Sequence, residues 1–309
     1  MTRCTTRILT AITVVFALLV VAPVTATADD DDLDDAYAQY LDGDVDFDGP
    51  QPVTDTFGEI VLINSPTVEQ VPVGRLRWNI QHRMGPFEMD TSNLFGVYAP
   101  GNIRLGFYYG LHDRVQLGLG ATQAGSRFDA NTKVQLIEQH TEGWQQVSVS
   151  YFGQMTLQGG DADRFDRFSH RIGYLHELLV ARKFSDDFSL QASLGLTHKN
   201  VVDTREGYRN DNLAASLAGK YNLNPNWAIN FEAGQGQLLS WVYPSEDGAR
   251  SYPILGLGVE YFSSAHGFQV FLSSTNDILT GPSYVFNSQD IREGNLFVGF
   301  NITRDWTLH

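Results

Sequence analysis

Between residues 73 and 303 the chain alternates apolar and polar residues in twelve segments, joined by connections that run short, long, short, long. The short ones cover 110–113, 140–144, 184–187, 223–226 and 263–267, and the long ones 85–101, 123–131, 158–169, 200–210, 239–250 and 275–293. A period of two is the strand signal. An even number of such strands, with tight turns at one end and long loops at the other, is the pattern of a bacterial outer-membrane barrel. Strands that cross lipid must also close on themselves, because an open edge would leave backbone groups unpaired. The expected fold is therefore all-β: a twelve-stranded antiparallel transmembrane barrel with short periplasmic turns and long extracellular loops.

The first strand orients the wall. Leu76, Trp78, Ile80 and Met84 share one face with His82, while Arg75, Arg77, Asn79, Gln81 and Arg83 share the other. An arginine facing the bilayer midplane costs about 2–4 kcal/mol, so the arginine face must look into the barrel. Later segments repeat the division. Ile103, Leu105 and Phe107 point out against Arg104, Gly106 and Tyr108; Leu255, Leu257 and Val259 point out against Gly256, Gly258 and Glu260. The segment from His170 to Lys183 departs from it, with Leu175 and Leu179 on the same face as Glu177; Ile172, Tyr174, Leu178 and Val180 take the outward side. Trp78, Tyr109, Trp144, Tyr221, Trp227 and Tyr261 stand at strand ends, where interfacial aromatic girdles form.

Three regions follow in order: a signal peptide over 1–28, an acidic leader over 29–56 and the barrel over 57–309. Arg3 and Arg7 precede an apolar stretch over 12–21, and Ala26-Thr27-Ala28 offers small residues for cleavage. That stretch is too short to span a bilayer, which takes about 20 residues. The only cysteine, Cys4, lies in this region, so the remainder carries no disulfide or thiol chemistry. A net charge of −15 argues against nucleic acid as a partner, which requires clustered basic surface.

Ten aspartates fall between positions 29 and 48. Within this run Asp44, Asp46, Asp48, Gly49 and Asp55 copy the 1, 3, 5, 6, 12 spacing of a calcium loop. Prolines at 50 and 52, an aspartate in place of the bidentate glutamate, and the lack of flanking helices depart from it. The composition favours an extended acidic linker over a calcium site. No other cofactor is implied.

Arg75, Arg77, Arg83, Arg104, Lys133, Lys220, Glu232 and Glu260 fall on inward faces as candidate lumen-lining residues, joined by Arg171, Lys183, Lys199 and Glu177. A basic inner wall suits a porin-like channel for small, anionic solutes. It equally suits a filled barrel whose interior charges pair with one another. Barrels of about eight strands fill with side chains and those of 16–18 leave a channel, so twelve decides nothing alone. A third reading, an outer-membrane lipid or ester hydrolase, draws on Ser169, His170, His176 and His198. No nucleophile, base and orienting group can be assembled from them, and the non-enzymatic readings lead. The implied partners are outer-membrane lipid and small solutes.

Several ordered segments carry a family resemblance. They are Phe57-Gly58 through Ile63-Asn64, Asn102-Ile103-Arg104-Leu105-Gly106, Tyr109-Gly110-Leu111-His112-Asp113-Arg114, the run from His176 to Lys183 with Phe184-Ser185, and Gly299-Phe300-Asn301-Ile302. Over about residues 57–304 the chain resembles the β-barrel family known as Domain of Unknown Function 5777. The resemblance implies a β-barrel and supplies no site residues.

Overall fold

The computed structural model describes residues 49–87, 94, 96–98, 100–160, 162–238, 251–263 and 266–307. The segment expected to be a signal peptide and the expected acidic leader as far as Asp48 lie outside them. So do Asp44, Asp46 and Asp48 of the calcium spacing; Asp55 is exposed, with a left-handed φ of 53°.

The wall begins with β3 (Arg75–Pro86), β4 (Asn102–His112), β5 (Val115–Thr122) and β6 (Arg127–Ile137). It continues through β7 (Ser148–Gln158), β8 (Ile172–Lys183), β9 (Phe188–Lys199) and β10 (Asp211–Asn224). β11 (Trp227–Gln235), β12 (Ile254–Ser263), β13 (His266–Ser273) and β14 (Phe297–Thr307) complete it. Each strand pairs antiparallel with its neighbours in sequence, and β14 returns to β3 with Ile302 opposite Ile80, closing a twelve-stranded barrel. Leu119, Phe128, Leu257 and Val270 stand exposed on the outer face as its lipid-facing band. At the turn end, Trp78 stacks on Trp306 at 6.0 Å and Trp227 lies against Tyr261 at 4.8 Å, as an interfacial girdle.

One pair of connections reverses the expected alternation. β5 and β6 are joined by residues 123–126 alone, whereas β6 and β7 are joined by 138–147. Arg127, Asp129 and Asn131 read as loop chemistry in the sequence, yet they occupy strand β6, where Asp129 and Asn131 are buried on the inward face. Polar residues have that position open to them because a barrel interior pairs them out of lipid.

Residues 57–74 do not join the wall. They enter the barrel from the turn end and reverse at a small hairpin of β1 (Val61–Leu62) and β2 (Ser65–Pro66), then return to meet Gly110 at the base of β4. Phe57, Ile60, Leu62, Ile63, Val68 and Val71 are buried inside the barrel. A short helix, α1 (Thr280–Phe286), dips in from the connection between β13 and β14. The two leucines that made β8 irregular in sequence are explained here: Leu175 and Leu179 face inward and share an apolar cluster with Phe57, Leu62, Val68 and Tyr284.

Beneath the hairpin, Arg104 crosses the inner wall to Asp129 with two hydrogen bonds of 2.9 and 2.7 Å, and donates to Gln81 and Tyr108. Gly106 and Gly120 make room for this guanidinium, since a Cβ at either would meet it. Removing one partner of a buried pair strands the other charge at about 3–5 kcal/mol. Arg104→Met is therefore expected to lower the urea midpoint of unfolding sharply, and Arg104→Met combined with Asp129→Leu to recover most of the loss.

Candidate functional site

A segment held inside a closed barrel has few strands of its own to pair with, so its backbone groups need other partners. Inward amide side chains supply them, because an amide both donates and accepts. Gln269 donates to Val61 O at 3.0 Å and accepts from Ile63 N at 3.1 Å. Gln191 donates to Pro66 O at 2.7 Å and accepts from Val68 N at 3.0 Å, while Gln116 accepts from Val71 N at 3.0 Å.

The hairpin tip is gripped hardest. Glu232 accepts from Asn64 N (3.0 Å), Asn64 Nδ2 (3.1 Å), Ser65 N (3.1 Å) and Ser65 Oγ (3.0 Å). Ile63 at the tip has φ 55°, a left-handed conformation unfavourable for a β-branched residue. Its carbonyl accepts from Arg83 Nη2 at 2.9 Å and Asn301 Nδ2 at 3.0 Å. From the opposite side, Thr280 of α1 donates its hydroxyl to Asn64 O at 3.1 Å, and Tyr284 donates to Glu177 at 2.9 Å.

The basic inner wall expected from sequence is thus placed inside but is largely compensated. Arg77 donates to Asp305 at 2.6 and 2.8 Å and reaches Glu59 at 3.4 Å. Lys220 donates to Glu260 at 2.6 Å and to Phe57 O at 2.7 Å. Lys133 donates to Glu69 O. Arg83 is fully buried against backbone and amide oxygens, with Phe271 under it at 4.4 Å. Arg75 alone of the eight is exposed, at the turn end of β3. Of the balancing acids the sequence reading counted Glu260, but not Asp129 in an assumed loop, Asp305 beyond an assumed strand end, or Glu59 in the segment ahead of the first wall strand.

At the extracellular end a cavity of about 310 Å³ remains between β6, β7, β8, β9 and α1. Arg127, Gln154, Arg171, Thr197, Lys199 and Phe286 are among its lining residues. Two of the histidines named as catalytic alternatives are engaged by other partners, although His198 also lines this cavity. His176 Nδ1 lies 2.6 Å from Tyr151 Oη, and His198 Nδ1 lies 2.7 Å from Asp211, on diagonal positions of the β8–β9 pair. Ser169 meets neither; its carbonyl accepts from Asn200 at 2.7 Å.

A family model described as a membrane-bound beta barrel domain (DUF5777) matches residues 57–306, a span that takes in the internal hairpin as well as the wall. No curated protein matches the chain by sequence. Among solved structures, a KdgM porin in complex with disordered oligogalacturonate is 9% identical with a TM-score of 0.45, covering 76% of this chain and 99% of that one. An outer membrane channel from Pseudomonas putida F1 is 12% identical with a TM-score of 0.49, over 77% and 98% of the two chains. The CymD monoaromatic hydrocarbon channel is 11% identical with a TM-score of 0.36, over 77% and 90%.

Since Glu232 accepts four of the hydrogen bonds at the tip, Glu232→Ala is expected to loosen the hairpin without opening the wall. Amide hydrogen exchange over residues 60–68 should accelerate by roughly tenfold or more, the effect of losing charged hydrogen bonds, while the β3–β14 seam keeps its protection.

Proposed function

The chain belongs to the DUF5777 family of membrane-bound β-barrel domains, and from that premise we propose a porin-like outer-membrane protein for small solutes, shut by its own amino-terminal hairpin. The observation that carries this reading is the hairpin itself. It lies along the axis a solute would follow, and the inward residues of the wall are spent on holding it. A wall of twelve strands is wider than side chains alone need to fill. Here the excess width is taken up by the hairpin and α1, two elements that lie outside the twelve wall strands.

A permanently filled, structural barrel is the second reading, favoured by the apolar packing of Leu175 and Leu179 on the hairpin. Planar-bilayer recordings test whether the hairpin is what shuts the lumen. We compare the intact protein, a variant with residues 58–70 replaced by a glycine-serine linker, and one that also lacks α1, each shown folded by heat-modifiable migration. The intact protein is expected to give no steady conductance, with conductance appearing and then rising through the two variants. Silent variants that are folded, or an intact protein that conducts as they do, would overturn the proposal.

A further inference from the structure

We propose that the extracellular cavity is a binding site for a small hydroxyl-bearing anion, a sugar-sized molecule carrying a carboxylate or phosphate. The charges lining it are not balanced as those deeper in the barrel are. Arg127 is neutralised by Asp277 through two hydrogen bonds of 2.9 Å. Arg171 instead donates to backbone carbonyls, to Gln158 O at 2.7 Å and Gly159 O at 3.0 Å. Lys199 lies 4.6 Å over the Phe286 ring. Among the described residues, neither Arg171 nor Lys199 has a carboxylate within ion-pair distance. Two cations in excess, in a site walled by protein, attract an anion more strongly than the same charges in open water.

The remaining lining says what else the anion carries. Gln154 is buried and lines this cavity, with its Oε1 closed off from it. Polar groups on a cavity wall complement the hydroxyls of a ligand. Thr156, Gln158 and Thr197 add further polar groups around it. The volume of about 310 Å³ is at the small end of ligand pockets, which start near 300 Å³, and suits a single sugar acid or sugar phosphate more than an oligomer.

This inference does not depend on whether the hairpin moves. Isothermal titration of the folded protein in detergent uses glucuronate and glucose 6-phosphate as anionic probes and glucose as the neutral one. At least one anion is expected to bind saturably and roughly tenfold or more tighter than glucose, the difference expected for a charged hydrogen bond. Lys199→Gln and Arg171→Gln should each weaken it by a similar factor, and Lys199→Arg should retain it. Binding of glucose equal to that of the anions, no binding of either anion, or full binding by Lys199→Gln would each overturn the assignment. Because no conductance is measured, failure here leaves the hairpin reading standing, and the reverse also holds.

Discussion

The structure turns on one requirement: backbone polar groups that enter a closed barrel must be paired there. The wall satisfies itself, each strand between two others. The hairpin of β1 and β2 cannot, since its own pairing covers little more than Val61–Leu62 against Ser65–Pro66 and Thr67 against Ile60. Its remaining groups are met by side chains from strands spread around the barrel, with Gln191, Gln269, Gln116, Asn301, Glu232 and Arg83 acting as substitutes for neighbouring strands. The abundance of inward amides is a consequence of that task.

This is why the wall was legible in the sequence and its contents were not. Lipid imposes a strict rule on the outward face, and the arginines of β3 broke the symmetry between the two faces. The inward face obeys a looser rule, because a water-filled lumen and a lumen packed with polypeptide both call for polar side chains. Leu175 and Leu179 on β8 were the residues that differed between the cases, since an inward leucine has no purpose in a wet channel. Paired with the unassigned apolar run at Phe57, Ile60, Leu62 and Ile63, they mark a packed interior. The loop assigned over 123–131 failed for a related reason: Arg127 and Asp129 look solvated in sequence but are strand residues whose partners, Asp277 and Arg104, lie far along the chain.

Charge tells the same story at two depths. Along the hairpin, acids from the wall and from the hairpin itself meet the inward cations, so the interior is not the open cationic surface that a strand-by-strand count suggests. Nearer the exterior the hairpin no longer reaches, and among the described residues Arg171 and Lys199 have no carboxylate within ion-pair distance. The α1 helix stands between these zones. Its Phe286 lies under Lys199 and lines the outer cavity, while its Thr280 bonds the carbonyl of Asn64 at the hairpin tip. A helix of about two turns therefore touches both the outer cavity and the hairpin tip.

The polar contacts position the hairpin, and apolar burial adds to what keeps it in place. Each neutral hydrogen bond can be exchanged for one to water at a net cost of only about 0.5–1.5 kcal/mol. The apolar side chains have no such exchange. Withdrawing Phe57, Ile60, Leu62, Ile63, Val68 and Val71 from the barrel into water costs roughly 1.5–3 kcal/mol for each, on the order of 10 kcal/mol together. A free hairpin at that cost is far too rare for thermal fluctuation to sustain a flux of solute. Opening, where it occurs, must be coupled to something that binds the displaced segment or stabilises the emptied lumen, because only a differential affinity between the two states can shift such an equilibrium.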